Sequence, residues 1–334
     1  MKAYRLFDWQ TPPRLVDIPI PEPGSGQVRL KVAGNGLCQS DLHMIHDWTE
    51  SPPHINVTLP QTIGHEIGGW VDKAGPGVSG WDKGRAALVT LAGCGHCDAC
   101  LRGWNNYCRG KPIQPGIGMD GGLAEYVLVP VGCLVPCDGL DPAEGAPLTD
   151  AGLSSYHAVR RVAPVLLPGS VAVVIGAGGL GHLAVAALKA VTPAEVIAVD
   201  PSPDARALAL QSGADRAVEP GDDTLPRHDA AAVLDFVGAA VTLQSAFDMI
   251  RPQGHVVMVG RGSGELPFTH RSMPYGATLS TTFGGTKAEL SELIALARSG
   301  AVRPHLSRHP LDEVEQVLNR LAKGEISGRA VIVP

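Results

Sequence analysis

The chain has 334 residues, which is too long for one ordinary hydrophobic core and predicts about two domains of roughly 150 residues each. Its 27 basic and 33 acidic residues give a net charge of −6, and no block of Lys or Arg occurs, so neither nucleic acid nor an anionic membrane is expected as a partner. No apolar run reaches the length of about 18 residues that a membrane helix needs, and the first residues lack the apolar segment of a signal peptide, so a cytoplasmic protein is expected.

Residues 1–150 predict a β-rich domain with long loops. Glycine and proline interrupt this part of the chain at short intervals, as in "AGPGVSGWDKG" and "MDGGLAEYVLVP". Short β-branched or alternating runs lie between these turns, and strands are predicted at 28–32, 67–71 and 126–129.

Three residues of this domain carry the side chains of a catalytic metal site. Cys38 lies in "NGLCQSDLHMIHDW", His65 in "TIGHEIGGW", and Asp150 in "APLTDAGLSSYHA". A catalytic zinc takes about three protein ligands and keeps a fourth position open, and these residues supply the three. Cysteinate and aspartate each carry one negative charge, so the site stays formally neutral and the zinc keeps its strength as a Lewis acid.

A second metal site is predicted in the loop "GCGHCDACLRGWNNYC". Its four thiols, in the pattern C-x2-C-x2-C-x7-C, would complete a closed tetrahedral zinc site of the structural kind: Cys94, Cys97, Cys100 and Cys108. An iron–sulfur site begins with the same spacing, but its usual fourth cysteine follows after three residues and precedes proline. Here the fourth cysteine follows after seven residues and precedes Arg109, so zinc is favoured over iron–sulfur or disulfides.

Residues 151–286 predict a doubly wound parallel sheet. The segment "SVAVVIGAGGLGHLAVAALKAV" predicts an apolar strand, a glycine turn and an apolar helix, which together begin a β-α-β unit. Strand-like runs then recur at 196–199, 230–236 and 255–259, with helical text between them. The remaining residues, 287–334, form a helix and the closing strand "GRAVIVP", and are expected to complete the first domain.

The glycine turn predicts a dinucleotide site. Gly176, Gly178 and Gly181 fit G-x-G-x-x-G between a strand and a helix, where the helix N-terminus receives a pyrophosphate. Asp200 ends the next strand, 24 residues after Gly176, where a carboxylate accepts the ribose hydroxyls of NAD and repels a 2′-phosphate. Arg206 lies farther along the chain and keeps NADP open as an alternative, and Asp200 as a simple helix cap is the structural alternative.

Taken together, these motifs resemble those of the zinc-dependent medium-chain alcohol dehydrogenases over essentially the whole chain. The residues that carry the resemblance are "GLCQSDLH", "GHE", the four-cysteine loop, "LTDAGL", "GAGGLG" and "GRAVIVP". The text "LTDAGL" resembles the bacterial branch that acts on secondary alcohols. The resemblance implies a β-rich GroES-like catalytic domain with a Rossmann domain, NAD and two zinc ions per chain, secondary alcohols or ketones as substrates, and a homo-oligomer, with a tetramer favoured over a dimer.

The resemblance also implies roles for the residues around Cys38. Ser40 is expected to take the proton from the alcohol and to pass it through the nicotinamide ribose to His43, which releases it to water. Asp41 matches the carboxylate that orients the His65 imidazole, a role that a metal-bound histidine requires in any case. Glu66 matches the acidic neighbour of the zinc.

Further residues are assigned by the same resemblance. The expected cofactor contacts add Gly179, Leu180, Phe283 of "TTFGGT" near the carboxamide, and Arg329 at the pyrophosphate. The candidates for the walls of the substrate pocket are Ile45, Trp48, Thr90, Ile117, Met119 and Tyr275. Packing in a core explains the apolar candidates equally well, because pockets and cores use the same side chains.

Three other functions compete with this interpretation. A polyol or sugar dehydrogenase of the same family would carry more hydrogen-bonding residues near Ile45 and Met119. A zinc-free quinone reductase, or a non-catalytic relative that binds nucleotide, would lack metal ligands that are present here. A nucleic-acid binder built on the cysteine loop is disfavoured by the net charge and by the scarcity of basic residues in the loop.

Overall fold

The computed structural model describes residues 1–52 and 55–334, and the chain divides into two compact units. The first unit contains Met1–Ala151, Gly285–Arg298 and His305–Pro334, and the second contains Gly152–Gly284 and Ser299–Pro304. Within the described residues, none of the helices combines the length and the hydropathy that a bilayer span requires.

The first unit is mainly β-structure. Its strands are β1 (Lys2–Leu6), β2 (Arg14–Asp17), β3 (Gln27–Gly36), β4 (Gln61–Thr62), β5 (Glu66–Ala74), β6 (Ala86–Val89), β7 (Gln114–Pro115), β8 (Gly118–Met119), β9 (Tyr126–Pro130) and β10 (Leu134–Pro136). Three short helices lie among them: α1 (Gln39–His46), α2 (Asp98–Leu101) and α3 (Pro142–Gly145). Single 3-10 turns occur at Asn105–Tyr107, Val131–Cys133 and Ala146–Thr149.

The second unit alternates strands and helices. In chain order these are α4 (Ala151–Val162), a 3-10 turn (Ala163–Val165), β11 (Val171–Ile175), α5 (Gly181–Val191), β12 (Glu195–Val199), α6 (Pro203–Gln211), β13 (Arg216–Val218), β14 (Ala230–Asp235), α7 (Ala240–Met249), β15 (Ile250–Met258) and β16 (Thr278–Thr281). The chain then returns to the first unit. Its last elements are α8 (Lys287–Ser299), β17 (Leu306–Pro310), a 3-10 turn (Leu311–Glu313), α9 (Val314–Ala322) and β18 (Arg329–Val333).

The main sheet of the first unit brings distant parts of the chain together around β3. Its strand order is β10-β6-β5-β3-β18-β17, and β9 also pairs with β3. Strand β5 runs antiparallel to β3 with Gly36 opposite Glu66, so the end of β3 lies beside the start of β5. The closing strand β18 pairs antiparallel with β3 at the same end.

The core of the first unit fixes helix α1. Leu42, Met44 and Ile45 on α1 are buried in a cluster that also contains residues of α9 and of β18, such as Val317 and Ile332. Each such side chain contributes roughly 1.5–3 kcal/mol when it leaves water. The N-terminus of α1, where Cys38 lies, is therefore held against the sheet.

The sheet of the second unit is parallel throughout, in the order β13-β12-β11-β14-β15-β16. Numbered within the unit this is the order 3-2-1-4-5-6 of dinucleotide-binding domains. The buried alanines and valines of β11, β12 and β14 are continuous apolar runs, as expected for strands covered on both faces. The strand predicted at 255–259 forms the later part of a longer strand, β15, whose register shifts near its start.

Candidate active site

Cys38, His65 and Asp150 converge in the first unit. Cys38 is the N-cap of α1, His65 immediately precedes β5, and Asp150 follows the 3-10 turn Ala146–Thr149. The Sγ of Cys38 lies 3.5 Å from Oδ2 of Asp150, and Nε2 of His65 lies 3.3 Å from the same oxygen. All three ligand atoms lie within 4.8 Å of one another.

This donor set fits zinc. With zinc–ligand distances of about 2.0–2.3 Å, the ligands of a tetrahedral site stand roughly 3.3–3.8 Å apart, and the distances from Asp150 to Cys38 and His65 fall in that range. A thiolate, an imidazole nitrogen and a carboxylate are all ligands that zinc accepts, and three of them leave one position for a substrate oxygen.

Asp41 supports two of the three ligands from behind. Its carboxylate is fully buried; Oδ1 lies 3.2 Å from Nδ1 of His65, and Oδ2 accepts a 2.9 Å hydrogen bond from the backbone N–H of Cys38. A proton held on Nδ1 leaves the lone pair of Nε2 directed toward Cys38 and Asp150.

The charges of the site favour a bound cation. Burial lowers the pKa of His65, but the carboxylates of Asp41 and Asp150 outweigh burial and raise it well above its ordinary value. Burial raises the pKa of Asp150, yet His65 and Arg329 bring it below its ordinary value. The carboxylate of Asp150 therefore stays ionised and stabilises positive charge between the candidate ligands.

Glu66 and Arg329 form a buried ion pair beside these ligands. Nη2 of Arg329 donates to Oε1 of Glu66 at 2.5 Å, and the same oxygen accepts the backbone N–H of Ala151. Burial raises the pKa of Glu66 to about 7, against the opposing charge of Arg329. Within the described residues, Oε2 of Glu66 and Nε of Arg329 have no hydrogen-bond partner. Contact of Arg329 with a pyrophosphate remains a prediction.

Gly36, which the sequence did not single out, is required by this pair. A Cβ at Gly36 would lie only 1.9 Å from Oε2 of Glu66. The text "NGLC" therefore contains a glycine because the strand passes directly over a buried carboxylate.

Ser40 and His43 both lie on α1. Oγ of Ser40 is 3.8 Å from Sγ of Cys38, so the hydroxyl lies beside a candidate zinc ligand. His43 is half exposed, and its Nδ1 lies 2.5 Å from Oδ2 of Asp47, a partner that the sequence did not indicate. The relay between Ser40 and His43 remains a prediction.

The four-cysteine loop also converges. The Sγ atoms of Cys94, Cys97, Cys100 and Cys108 lie within 4.8 Å of one another, and all four thiols are free. The disulfide alternative is therefore wrong for this structure, because the sulfurs meet without bonding.

Backbone N–H groups around the loop donate hydrogen bonds to its sulfur atoms. The N–H groups of Cys94 and Gly110 donate to Sγ of Cys108 at 3.2 and 3.3 Å. Backbone N–H groups, first that of Cys100, lower the pKa of Cys97 to about 6. A Cβ at Gly93 would lie 2.4 Å from Sγ of Cys100, so this glycine lets the backbone pass close to the thiol.

The glycine turn of the second unit fits a pyrophosphate. Gly176 has a φ of 84°, and a Cβ at Gly181 would lie 1.8 Å from the carbonyl oxygen of Gly176, so neither position accepts a side chain. At Gly178 the Cβ position has no atom within 4 Å, which leaves open space beside the loop. Gly179 and Leu180, the N-cap of α5, lie between this space and the helix.

Asp200 lies at the end of β12 beside this turn. Its Oδ2 accepts the N–H of Ala177 and its Oδ1 accepts the N–H of Ser202, both at 2.8 Å. Arg206 donates to the carbonyl oxygens of Asp200 and Pro201, and its Nη2 lies 2.8 Å from Oε1 of Glu219. Arg206 is therefore already bound to other groups of the protein.

The pocket candidates occupy different environments. Ile45 is buried in the cluster behind α1, and Trp48 and Ile117 pack against that cluster. Trp9, which the sequence did not indicate, lies with its ring centroid 6.3 Å from that of Trp48. Thr90 is buried, Met119 is partly buried in β8, and Tyr275 and Phe283 of the second unit are exposed. Substrate or cofactor contact at these residues remains a prediction.

Comparisons with known proteins agree with this geometry. The family model described as the alcohol dehydrogenase GroES-like domain matches residues 24–139, and that of the zinc-binding dehydrogenase matches residues 179–299. The NAD-dependent alcohol dehydrogenase of Sulfurisphaera tokodaii is 34% identical over 354 residues, covering 100% of both chains. The predicted fold class, a β-rich GroES-like domain with a Rossmann domain, is confirmed.

Solved structures are similar over the same length. The alcohol dehydrogenase of Aeropyrum pernix has a TM-score of 0.89 with 34% identity and covers 100% of both chains. The acetophenone reductase of Geotrichum candidum, solved in complex with NAD, has a TM-score of 0.87 with 30% identity, covering 100% of this chain and 97% of that one.

Proposed function

The chain belongs to the zinc-dependent medium-chain alcohol dehydrogenase family, and from this premise we propose that it transfers hydride between NAD and a secondary alcohol or ketone. The observation that carries the proposal is the convergence of Cys38, His65 and Asp150 into a three-ligand site with one open position. The same chain carries a glycine turn and an acidic residue suited to NAD.

The residues of the first unit then have separate tasks. Cys38, His65 and Asp150 would hold the zinc, which when bound acts as a Lewis acid and lowers the pKa of an alcohol hydroxyl. Asp41 keeps a proton on Nδ1 of His65 and so keeps Nε2 free for the metal. Ser40 accepts the hydroxyl proton of the substrate and His43, half exposed beside Asp47, delivers it to water.

When bound, NAD would supply the hydride acceptor of the reaction, and the charges around Asp200 favour NAD over NADP. A 2′-phosphate would meet the carboxylate of Asp200. The candidate cation Arg206 is held by Glu219 and by two backbone carbonyls. Moving this guanidinium to a phosphate would cost those three hydrogen bonds.

Secondary alcohols and ketones are the proposed substrates. The candidate walls at Ile45, Trp48, Ile117 and Met119 are apolar, whereas a polyol would need hydrogen-bonding side chains to replace water around its hydroxyls. The similarity to an acetophenone reductase supports the same class, because acetophenone is a ketone.

A second zinc ion is proposed in the four-cysteine loop. Four thiolates close the coordination shell and leave no position for substrate, so this ion would stabilise the loop and take no part in the reaction. Four free thiols at metal-binding spacing also favour a reducing compartment, and we place the enzyme in the cytoplasm.

We also propose a homo-oligomer, with a tetramer ahead of a dimer. Strand β16 is at the end of the parallel sheet, and large apolar side chains are exposed on it and near it, at Leu279 and Phe268. Unpaired strand edges and exposed apolar groups favour association with a second copy. Sedimentation equilibrium measures the mass of the assembly and therefore its subunit number.

The experiment that tests the proposed reaction is an initial-rate survey of NAD reduction with matched primary alcohols, secondary alcohols and polyols. We expect the highest kcat/KM with secondary alcohols. Asp150→Ala should abolish turnover, whereas Asp138→Ala, which removes an exposed aspartate of the same unit, should leave it unchanged. A preference for polyols would overturn the substrate class, and full activity in Asp150→Ala would overturn the metal site.

A further inference from the structure

Two buried polar side chains lie behind the glycine turn and have no role in the scheme above. Ser155 belongs to α4 and His182 to the first turn of α5, and both are 0% exposed. A hydroxyl and an imidazole that are buried this completely are expected to make hydrogen bonds, because an unpaired polar group is costly in the interior.

Both side chains bond to carbonyl oxygens of the glycine turn. Oγ of Ser155 donates to the carbonyl oxygen of Leu180 at 2.9 Å. Nδ1 of His182 lies 2.8 Å from the carbonyl oxygen of Gly178, and because a carbonyl only accepts, the imidazole carries its hydrogen on Nδ1.

Because the peptide bond is planar, these two contacts also fix the directions of two N–H groups. In a trans peptide the C=O and the following N–H point in opposite directions. With the carbonyl of Gly178 held by His182, the N–H of Gly179 points away from His182, and with the carbonyl of Leu180 held by Ser155, the N–H of Gly181 points away from Ser155. These N–H groups belong to the turn and first residue of a helix, where no intrahelical acceptor exists.

The loop needs such support because glycines dominate it. Gly178 and Gly179 have no side chain that restricts rotation, and the Cβ position of Gly178 is open space. Main-chain N–H groups also donate to both carbonyls, that of His182 to Gly178 at 3.2 Å and those of Leu183 and Ala184 to Leu180 at 3.0 Å, and each buried side chain adds a further bond to the same oxygen. The added bond restricts the rotation left to each peptide, so less ordering of the N–H groups remains when a phosphate binds.

We propose that Ser155 and His182 are positioning residues for the cofactor: they fix the peptide planes at Gly178 and Leu180 so that the N–H groups of Gly179 and Gly181 are preorganised for the pyrophosphate. The inference rests on the proposed NAD-dependent function. It assigns to these two residues an effect on the phosphates alone and none on the adenosine.

The variants separate hydrogen bonding from packing. Ser155→Ala removes one bond, and His182→Leu removes the other while filling a similar volume. His182→Asn keeps a donor, because the Nδ2 of asparagine occupies the place of the imidazole Nδ1, although the smaller side chain leaves a cavity. If the role is positioning, affinity follows the hydrogen bond and not the thermal stability.

Two matched controls lie in the same unit. Oγ of Ser170 donates to the carbonyl oxygen of Leu167 at 2.5 Å, and Oγ1 of Thr192 donates to that of Leu188 at 2.8 Å, at the far end of α5. Ser170→Ala and Thr192→Val therefore remove the same kind of bond away from the glycine turn.

The measurement is the dissociation constant of ADP-ribose and of adenosine, each by competition with NADH fluorescence on the full-length, zinc-loaded protein. We expect Ser155→Ala and His182→Leu to raise the dissociation constant of ADP-ribose about 3- to 10-fold, the change that one net hydrogen bond is worth. The dissociation constant of adenosine should change less than about 2-fold. His182→Asn and both controls should bind ADP-ribose as the wild type does.

Three outcomes would overturn the proposal: ADP-ribose affinity in Ser155→Ala and His182→Leu equal to that of the controls, an equal loss for adenosine, or a loss in His182→Asn as large as in His182→Leu. A wild-type protein that binds neither NADH nor ADP-ribose would instead refute the proposed NAD-dependent function, and the positioning role with it.

Discussion

Replacing Asp41 by asparagine tests how the proposed catalytic zinc ligands are held. Asp41 is fully buried and uses both oxygens, one at 3.2 Å from Nδ1 of His65 and one at 2.9 Å from the N–H of Cys38. Asparagine has one oxygen and one NH₂ group, so only one of these contacts survives. If the NH₂ faces His65, it donates to Nδ1 and drives the hydrogen to Nε2, which removes the lone pair needed by the metal. If it faces Cys38, two donors meet.

Either arrangement loses one hydrogen bond to a charged group, which is worth about 1.5–3 kcal/mol. At about 1.4 kcal/mol per tenfold change, the expected weakening of zinc binding is roughly 10- to 100-fold, which is also the range for partners that orient metal ligands. The zinc ion proposed between Cys38, His65 and Asp150 should leave Asp41→Asn at a much lower concentration of a chromogenic chelator than it leaves the wild type.

The control is Asp47→Asn on the same helix. Asp47 also contacts a histidine, with Oδ2 at 2.5 Å from Nδ1 of His43, but it is exposed and touches none of the candidate zinc ligands. The zinc affinity of Asp47→Asn should therefore equal that of the wild type. Equal zinc affinity in the two variants, with unchanged melting temperature, would refute the role given to Asp41.

Three other substitutions have defined outcomes. Asp200→Ser should weaken NAD about 10-fold, because ribose hydroxyls lose a charged acceptor, and should allow measurable turnover with NADP; an unchanged ratio of kcat/KM for the two cofactors would contradict the assignment. His43→Gln should lower kcat by about 10-fold or more, most strongly at mildly acidic to neutral pH, because it removes the terminal base of the relay; a pH–rate profile identical to that of the wild type would count against that base. Cys100→Ser should remove one zinc ion and at least about 2 kcal/mol of the free energy of unfolding, measured by calorimetry and metal analysis; retention of both ions would show that the loop is not a four-thiolate site.

Features that depend on short stretches of chain could be predicted from the sequence. The strands at 28–32, 67–71 and 126–129 lie within β3, β5 and β9, because β-branched runs between turn residues specify extended backbone locally. The cysteine spacing predicted a convergent thiol cluster for the same reason, since its members are close in sequence. The glycine turn could also be predicted, because each glycine meets a local steric requirement.

The resemblance placed Cys38, His65 and Asp150 in one site, but only the tertiary structure gives their geometry. Asp150 lies 112 residues from Cys38 and 85 from His65 along the chain. The antiparallel register of β3 with β5 brings Cys38 and His65 side by side. Sequence spacing alone carries no information about contacts of this range.

The tertiary structure alone also decided which polar groups share the interior. Glu66 and Arg329 are 263 residues apart, and their buried pairing explains why Gly36 bears no side chain. The bond from Ser155 to the carbonyl oxygen of Leu180 joins residues 25 apart in the chain, and sequence spacing does not indicate it. Local propensity determines which elements form, whereas burial and long-range hydrogen bonding determine which side chains meet, and the chemistry depends on the second.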